Sequence, residues 1–292
     1  SNEKVPQAAP EFRQLIDSAD CIIGNLEAPI VQTQESKKRI LSTALQFSLE
    51  YLREILEVLN LSHEKLIVSL ANNHIGDHGE MGLLTTLDFL EKLQVRHIGI
   101  IQPGDALPVF QHGELRFGIF AWTQWMNREA FQEPPRPNRR EDLHNKDWQS
   151  IKKKNRIHTL IGMPHWQYEF RHFPNQQARS WVGEMVEAGF DLLVSHHPHV
   201  PGPAERIQHT FCHYTLGNLI GVHLSWPTKI AGVLEVHIVN QGVNIGKVAF
   251  LQMHPFYLHE KNRQKILLPF DQLPNGLRKK CQKRWDLLYP SK

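Results

Sequence analysis

The chain is short of cysteine, of long apolar runs and of charge of one sign, and each shortage removes a class of function. Its three cysteines, Cys21, Cys212 and Cys281, are odd in number and show no C-x-x-C spacing, so neither a disulfide framework nor a zinc-thiolate site is expected. No apolar stretch approaches the roughly 20 residues of a spanning helix, and no signal-peptide pattern follows Ser1. The chain as it stands therefore reads as soluble. A signal or anchor upstream of Ser1 would place it at the cell envelope, and otherwise the cytoplasm is expected. A formal charge of +3 over 292 residues is too mild to imply nucleic-acid or membrane binding.

Histidine, by contrast, is abundant at 18 residues, and imidazole is both a common transition-metal ligand and the proton carrier of neutral pH. With 41% apolar side chains the chain can bury one large core. One α/β body over 1–255 is expected, with a solvated basic insertion at about 125–155 and a C-terminal extension over 256–292.

The stretch Leu192 to Val200 reads as a buried strand running into His196-His197-Pro198-His199. His197 and His199 lie two apart, so in an extended segment both rings leave the backbone on one side and can meet one ion or a close pair. Other strands end in similar chemistry. Cys21 to Gly24 leads to Asn25 and Glu27, Leu66 to Leu70 leads to Asn73, His74 and Asp77, and Ile157 to Met163 leads to His165 and Glu169. Amphipathic helices alternate with these strands, one capped by Ser48, one carrying Leu83, Leu84, Leu87 and Leu90, and one from Asn175 to Ala188 closed by Gly189.

A β-α-β alternation of this kind predicts a layered sheet whose sites form at the C-terminal strand ends. Hairpins are expected at His112-Gly113-Glu114 and around Asn240-Gln241-Gly242, and a helix near Leu273 to Arg284. Carboxylate, carboxamide and neutral imidazole together suit manganese, iron or zinc. Two such ions about 4 Å apart, bridged by a carboxylate, serve phosphoester hydrolysis. Occupancy is expected to fall below the imidazole pKa of roughly 6.5. Asp77 either orients His74 or caps the following helix, and His196 reads as a buried supporting histidine.

The ordered motifs Gly24-Asn25-Leu26-Glu27, Ala71-Asn72-Asn73-His74 with Asp77 and Gly79, His165-Trp166 with Glu169, Pro174 and Gln177, His196-His197-Pro198-His199-Val200 and Tyr214-Thr215-Leu216-Gly217-Asn218 resemble those of the CapA family. This is the capsule and poly-γ-glutamate synthesis branch of the calcineurin-like metallophosphoesterases. The resemblance implies a four-layer α/β/β/α sandwich of two mixed sheets. It assigns Asn73, His165, His197 and His199 as metal ligands and Glu27 to the place of a bridging aspartate. His74 takes the place of the catalytic histidine, supported by Asp77, while Asn25, Glu169, Arg171 and Asn218 are placed at the substrate.

Two divalent ions are implied as cofactors, with water activated there attacking an electrophilic phosphorus or acyl centre while His74 protonates the leaving group. The implied substrate is an anionic polymer or phosphoester and the implied partners are capsule-synthesis membrane proteins, with no nucleic acid. The alternatives are a non-catalytic envelope assembly factor that keeps the fold, and a general small-molecule phosphatase. The chain departs from the family pattern in four places. Gln167 stands for the glycine usual after His-Trp, Ser195 for the glycine before the paired histidines, Pro201-Gly202-Pro203 for a commoner glutamine-bearing segment, and no Gly-Asp strand precedes Asp20.

Overall fold

The computed structural model describes residues 5–290 except 32–43, 103, 105, 129–130, 132, 222–224 and 263. Residues 31–46, polar and basic, read from the sequence as a loop and fall mostly outside the described residues. Three strands, β1 (Ile22–Asn25), β2 (Leu66–Ser69) and β3 (Arg96–Ile98), form a parallel sheet in that order. A second, mixed sheet contains β4 (Val109–His112), β5 (Leu115–Thr123), β6 (Thr159–His165), β7 (Leu192–Val194), β8 (Ala204–Ile207) and β9 (Thr210–His213), ordered β8-β9-β7-β6-β5-β4. Its four inner strands are parallel, and β4 and β8 are antiparallel edges. A third sheet joins β10 (Ile230–Ile238), β11 (Val248–Lys261) and β12 (Gln264–Pro269) to the short strand Gln7–Ala8, which leads into α1 (Pro10–Ser18).

The apolar side chains of β2 alternate with the strand period of two, and each set faces a different layer. Leu66 and Val68 of β2, with Leu70 just beyond it, pack with Leu52 of α2 (Leu49–Val58) and with Leu83, Phe89 and Leu90 of α3 (Gly79–Lys92). Ile67, on the opposite face, packs with Ile119, Ala121, Ile161 and Met163 of the second sheet. The far face of that sheet offers Phe120, Trp122 and Leu160 to Trp148 of α5 (Trp148–Asn155) and to Trp181, Val182 and Met185 of α6 (Gln176–Glu187). Ile67, Ile119 and Val182 are fully buried, and burial of each such side chain contributes about 1.5–3 kcal/mol.

The local stops follow their chemistry. Ser48 caps α2 by accepting from Tyr51 N, Asn175 caps α6 by accepting from Ala178 N, and Gly189 takes the left-handed φ of +88° behind α6. Leu84 turns outward at 39% exposure while Phe89 is buried instead, because a 3.6-residue period places position 89 on the core side.

Within the stretch expected as a solvated insertion, residues 136–155 are held by packing and by an ion pair. They contain α4 (Arg140–His144) and α5, bury Leu143 and Trp148, and pair Arg136 with Asp142 at 2.7 Å. The hairpin after β10 turns later than expected. Residues 239–247 form its loop, Val243 is fully exposed, and Gly246 closes it at φ +86° against the His158 carbonyl. The sequence reading missed β12 altogether, which pairs with β11 beyond Asn262 at φ +53°. The C-terminal helix α7 (Asn275–Leu288) follows it. Among the described residues no helix is long and apolar enough to cross a membrane.

Candidate metal centre and cleft

β1, β2, β5, β6 and β7 all deliver their C-terminal ends to one edge, where the two facing sheets meet. Beyond β1 the chain stays fastened to β2, since Leu26 N donates to Ser69 O at 3.0 Å. Asn72 then ties the two strand ends together. Its Nδ2 donates to Leu26 O at 2.8 Å and its Oδ1 accepts from His74 N at 3.1 Å, which sets Glu27 opposite the Asn73-His74 turn. Asn73 Oδ1 reaches His165 Nε2, at the end of β6, at 2.9 Å.

The His197-Pro198-His199 segment is not extended, as its spacing suggests, but a tight turn. β7 ends at Val194, His196 makes a single bridge to His165, and His197 and His199 then take φ of +97° and +60°. Left-handed backbone at a residue other than glycine costs about 1–3 kcal/mol and persists only where its surroundings enforce it. The turn brings the rings of His197 and His165 to 4.9 Å between centroids and those of His197 and His199 to 5.6 Å.

Glu27, His165 and His197 each offer one ligand atom, all within 4.8 Å of one another. Glu27 Oε1 is buried without a hydrogen-bond partner, as is Nδ1 of both His165 and His197. Oε1 lies 3.6 Å from His165 Nε2 and 3.7 Å from His199 Nε2. These separations are too long for hydrogen bonds, and they match two donors each about 2.1 Å from a shared ion. Burial pushes the Glu27 carboxyl up to about 8, the charge of Glu169 adds to the rise, and the hydrogen bond from Asn25 opposes it. A carboxylate held against that cost calls for a cation, so the residues present fit a divalent metal.

Burial holds His197 down to about 3 and His165 well below its ordinary value, reinforced by neighbouring imidazoles. Both shifts favour the neutral imidazole that a metal ligand must present.

Beside the donor set, His74 Nδ1 and Asp77 Oδ2 are 2.7 Å apart and both residues are buried. Asp77 also accepts from Leu45 N at 2.7 Å, and the cap of α3 is His78, so Asp77 orients the imidazole and does not cap the helix. Asn25 and Asn218, expected at the substrate, each hydrogen-bond a member of the donor set. Neither lines the cleft. Asn25 Nδ2 donates to Glu27 Oε2 at 2.9 Å, and Asn218 Oδ1 stands 2.9 Å from His199 Nδ1, so each aims a metal-side group. Gly217 makes room for this at φ +78°, where a Cβ would meet Ile230 O at 2.7 Å.

Glu169 and Arg171 do line the cleft, a cavity of about 540 Å³ shared with Asn73, His197, Trp125, Asn127 and Tyr168. The segment that carries them turns at Gln167 and Phe170, at φ +74° and +62°. Trp166 is fully buried while Tyr168 is 65% exposed on the rim.

Trp125, Asn127 and Arg128 were not anticipated. They follow β5, whose end bears no histidine or carboxylate to signal a site. Asn127 N donates to Asn73 O at 2.8 Å, and its amide lies 3.3 Å from both the Asn73 amide and His74 Nδ1. Trp125 stands edge-on to His197 at 4.6 Å, and Arg128 donates to Asp77 O at 3.0 Å.

PGA biosynthesis protein CapA of Bacillus subtilis (strain 168) is 24% identical over 250 residues, 84% of this chain and 63% of that protein. Capsule biosynthesis protein CapA of Bacillus anthracis is 22% identical over 265 residues, 88% of this chain and 62% of that protein. The chain thus spans a little under two thirds of the length of these curated relatives.

Among solved structures, a phosphatase from Mycoplasma pneumoniae superposes with a TM-score of 0.51 at 10% identity, covering 93% of this chain and 95% of that one. A putative 5'-nucleotidase from Staphylococcus aureus, solved with alpha-ketoglutarate, gives 0.51 at 14% identity, covering 97% and 54%. These likenesses establish a mixed α/β fold shared with those two structures. The family model described as bacterial capsule synthesis protein PGA_cap matches residues 3–222, and the chain belongs to that family, the one that contains the CapA proteins.

Proposed function

We propose that this chain is a metal-dependent, phosphoesterase-like hydrolase or transferase acting in the synthesis of an anionic capsule-type polymer, on the α/β/β/α sandwich that its packed layers suggest. The observation that carries the reading is the partnerless, buried Glu27 Oε1 among His165, His197 and His199, with the His74–Asp77 pair alongside. Glu27, Asn73, His165 and His197 would hold one ion, and Glu27 with His199 would begin a second position. A divalent ion held by these residues would supply Lewis-acid polarisation of the scissile group and acidify water.

The protein's own groups supply the rest. Asp77 fixes His74 Nδ1, leaving Nε2 to carry a proton to the leaving oxygen. Arg171 binds the anionic group with a fork of N–H donors, Asn127 offers its amide between Asn73 and His74, and Trp125 shields the ring of His197. Capsule-synthesis membrane proteins are the proposed partners, to be sought by crosslinking in cells that make the polymer; recovery of none of them would count against this part.

The test compares His74→Ala with the parent on an aryl phosphate and on an alkyl phosphoester. A loss on the order of 10²–10⁴-fold on the alkyl ester, with a smaller loss on the aryl ester, supports general-acid catalysis. Equal rates for parent and variant, no faster than metal ions alone, would favour an assembly factor. That second reading has one observation behind it: among the described residues the second metal position is met only by Glu27 and His199.

A further inference from the structure

The modest net charge conceals a concentration of cations. α7 carries Arg278, Lys279, Lys280, Lys283 and Arg284 against Asp286 alone, a formal +4, which leaves a formal −1 for the rest of a chain whose total is +3. The apolar side of the helix belongs to the fold, since Cys281, Trp285 and Leu288 are buried. Arg278, Lys279, Lys280 and Lys283 are exposed. Among the described residues none of the five cations pairs with a carboxylate. Lys280 and Arg284 instead lie over the Trp226 ring at 4.1 and 5.6 Å, which holds two of the charges in fixed positions.

The helix also joins the cleft. Tyr289 Oη, just past α7, donates to Gly202 O at 2.6 Å, and His172 Nδ1 lies 2.6 Å from the adjacent carbonyl, Pro201 O. His172 follows Arg171, which lines the cleft. The neighbouring carbonyls of Pro201 and Gly202 thus link the segment that bears Arg171 to the end of a cationic helix about 21 Å long at 1.5 Å per residue. Nearby carboxylates are engaged elsewhere, Glu205 by Arg179 and Tyr214 and Glu260 by Lys229.

We propose that the outer face of α7 is an exosite for a flexible polyanion whose reacting end lies in the cleft. This rests on the polymer reading above and adds the surface that recognises the chain beyond the reacting group. Unpaired cations in a row attract a flexible polyanion without demanding a fixed register, which suits a polymer of uniform repeat. An anionic bilayer is the weaker fit. A membrane-surface helix turns an apolar face outward, and here that face is buried, with Leu287 the exposed large apolar residue of α7.

The experiment measures binding of fluorescent poly-L-glutamate, long enough to span α7, to the full chain and to K279E/K283E, with inorganic polyphosphate as a second arm. Binding is read without turnover, so a chain that hydrolyses nothing still reports on the exosite. Both substituted positions are exposed, and a matching thermal melt verifies the fold. The expected result is tight, salt-sensitive binding of at least one polyanion, weakened about tenfold or more in the variant. The arm that responds identifies carboxylate or phosphate as the anion. Equal binding by parent and variant would overturn the proposal, as would binding to phosphatidylglycerol vesicles with none to either polyanion.

Discussion

Asn73 Oδ1 stands 2.9 Å from His165 Nε2 although 92 positions separate the two residues and they follow strands of different sheets. The donor set thus spans the seam between the sheets, and loss of either side should undo it. Asn73→Ala is expected to lower metal affinity at least about 10–100-fold and turnover with it. Asn73→Asp, which keeps the oxygen, should retain the metal. Calorimetric titration with manganese checks both, and unchanged affinity in the alanine variant would remove Asn73 from the site.

Asp77 touches no proposed ligand but meets His74 at 2.7 Å. Asp77→Asn should leave metal content intact while slowing alkyl phosphoester cleavage on the order of 10²-fold, because an amide lacks the carboxylate charge that holds the Nδ1–H tautomer of His74. Single-turnover rates, set beside metal analysis, separate this from general damage. Coincident loss of metal would show a structural role instead.

Gly99 lies at φ +88°, and a Cβ there would sit 2.7 Å from Ala71 Cβ and 2.8 Å from Ala71 N. Ala71 leads directly into Asn72-Asn73-His74. Gly99→Ala should therefore cost about 1–3 kcal/mol from backbone strain and a comparable amount from overpacking. A denaturant midpoint that does not move would contradict the close approach.

His213 provides a pH test outside the metal site. Burial, reinforced by the charge of His196, holds it down to about 3, with Nε2 2.6 Å from Tyr289 Oη. An unfolded histidine titrates near 6.5, so as pH falls below 6.5 the unfolded chain gains a proton that the folded chain refuses. The contribution of this ring is fully present above 6.5. It is lost at up to about 1.4 kcal/mol per pH unit as pH falls toward 3. His213→Gln should make the acid limb of the stability profile shallower by about one proton, and an unchanged slope would place the acid sensitivity elsewhere.

Much of this architecture was legible in the sequence because its signals are local. Alternation in Leu66 to Leu70 marks β2, Ser48 and Asn175 mark helix starts, and imidazoles at strand ends mark the edge where ligands gather. Even Gln167, standing for a usual glycine, sits at a left-handed position where glycine would be free of strain. What escaped depends on non-local geometry. The Asn127 amide gains its place only because β5 and β6 are parallel neighbours, and Asn25 and Asn218 could not be told from cleft residues without seeing which way each amide turns. β12 was missed because nothing local separates it from the end of a 14-residue β11. The turn at His197 and His199 was misread because H-x-H spacing reports proximity in an extended strand but not a left-handed kink.

The most direct measurement is metal content by elemental analysis after loading with manganese, iron or zinc and removal of excess ion. The account predicts about one tightly held ion per chain in the parent and almost none when His165→Ala and His197→Ala are combined, with the fold retained by circular dichroism. Metal bound equally by parent and double variant would contradict the central claim that these imidazoles, with Glu27 and Asn73, form the metal centre.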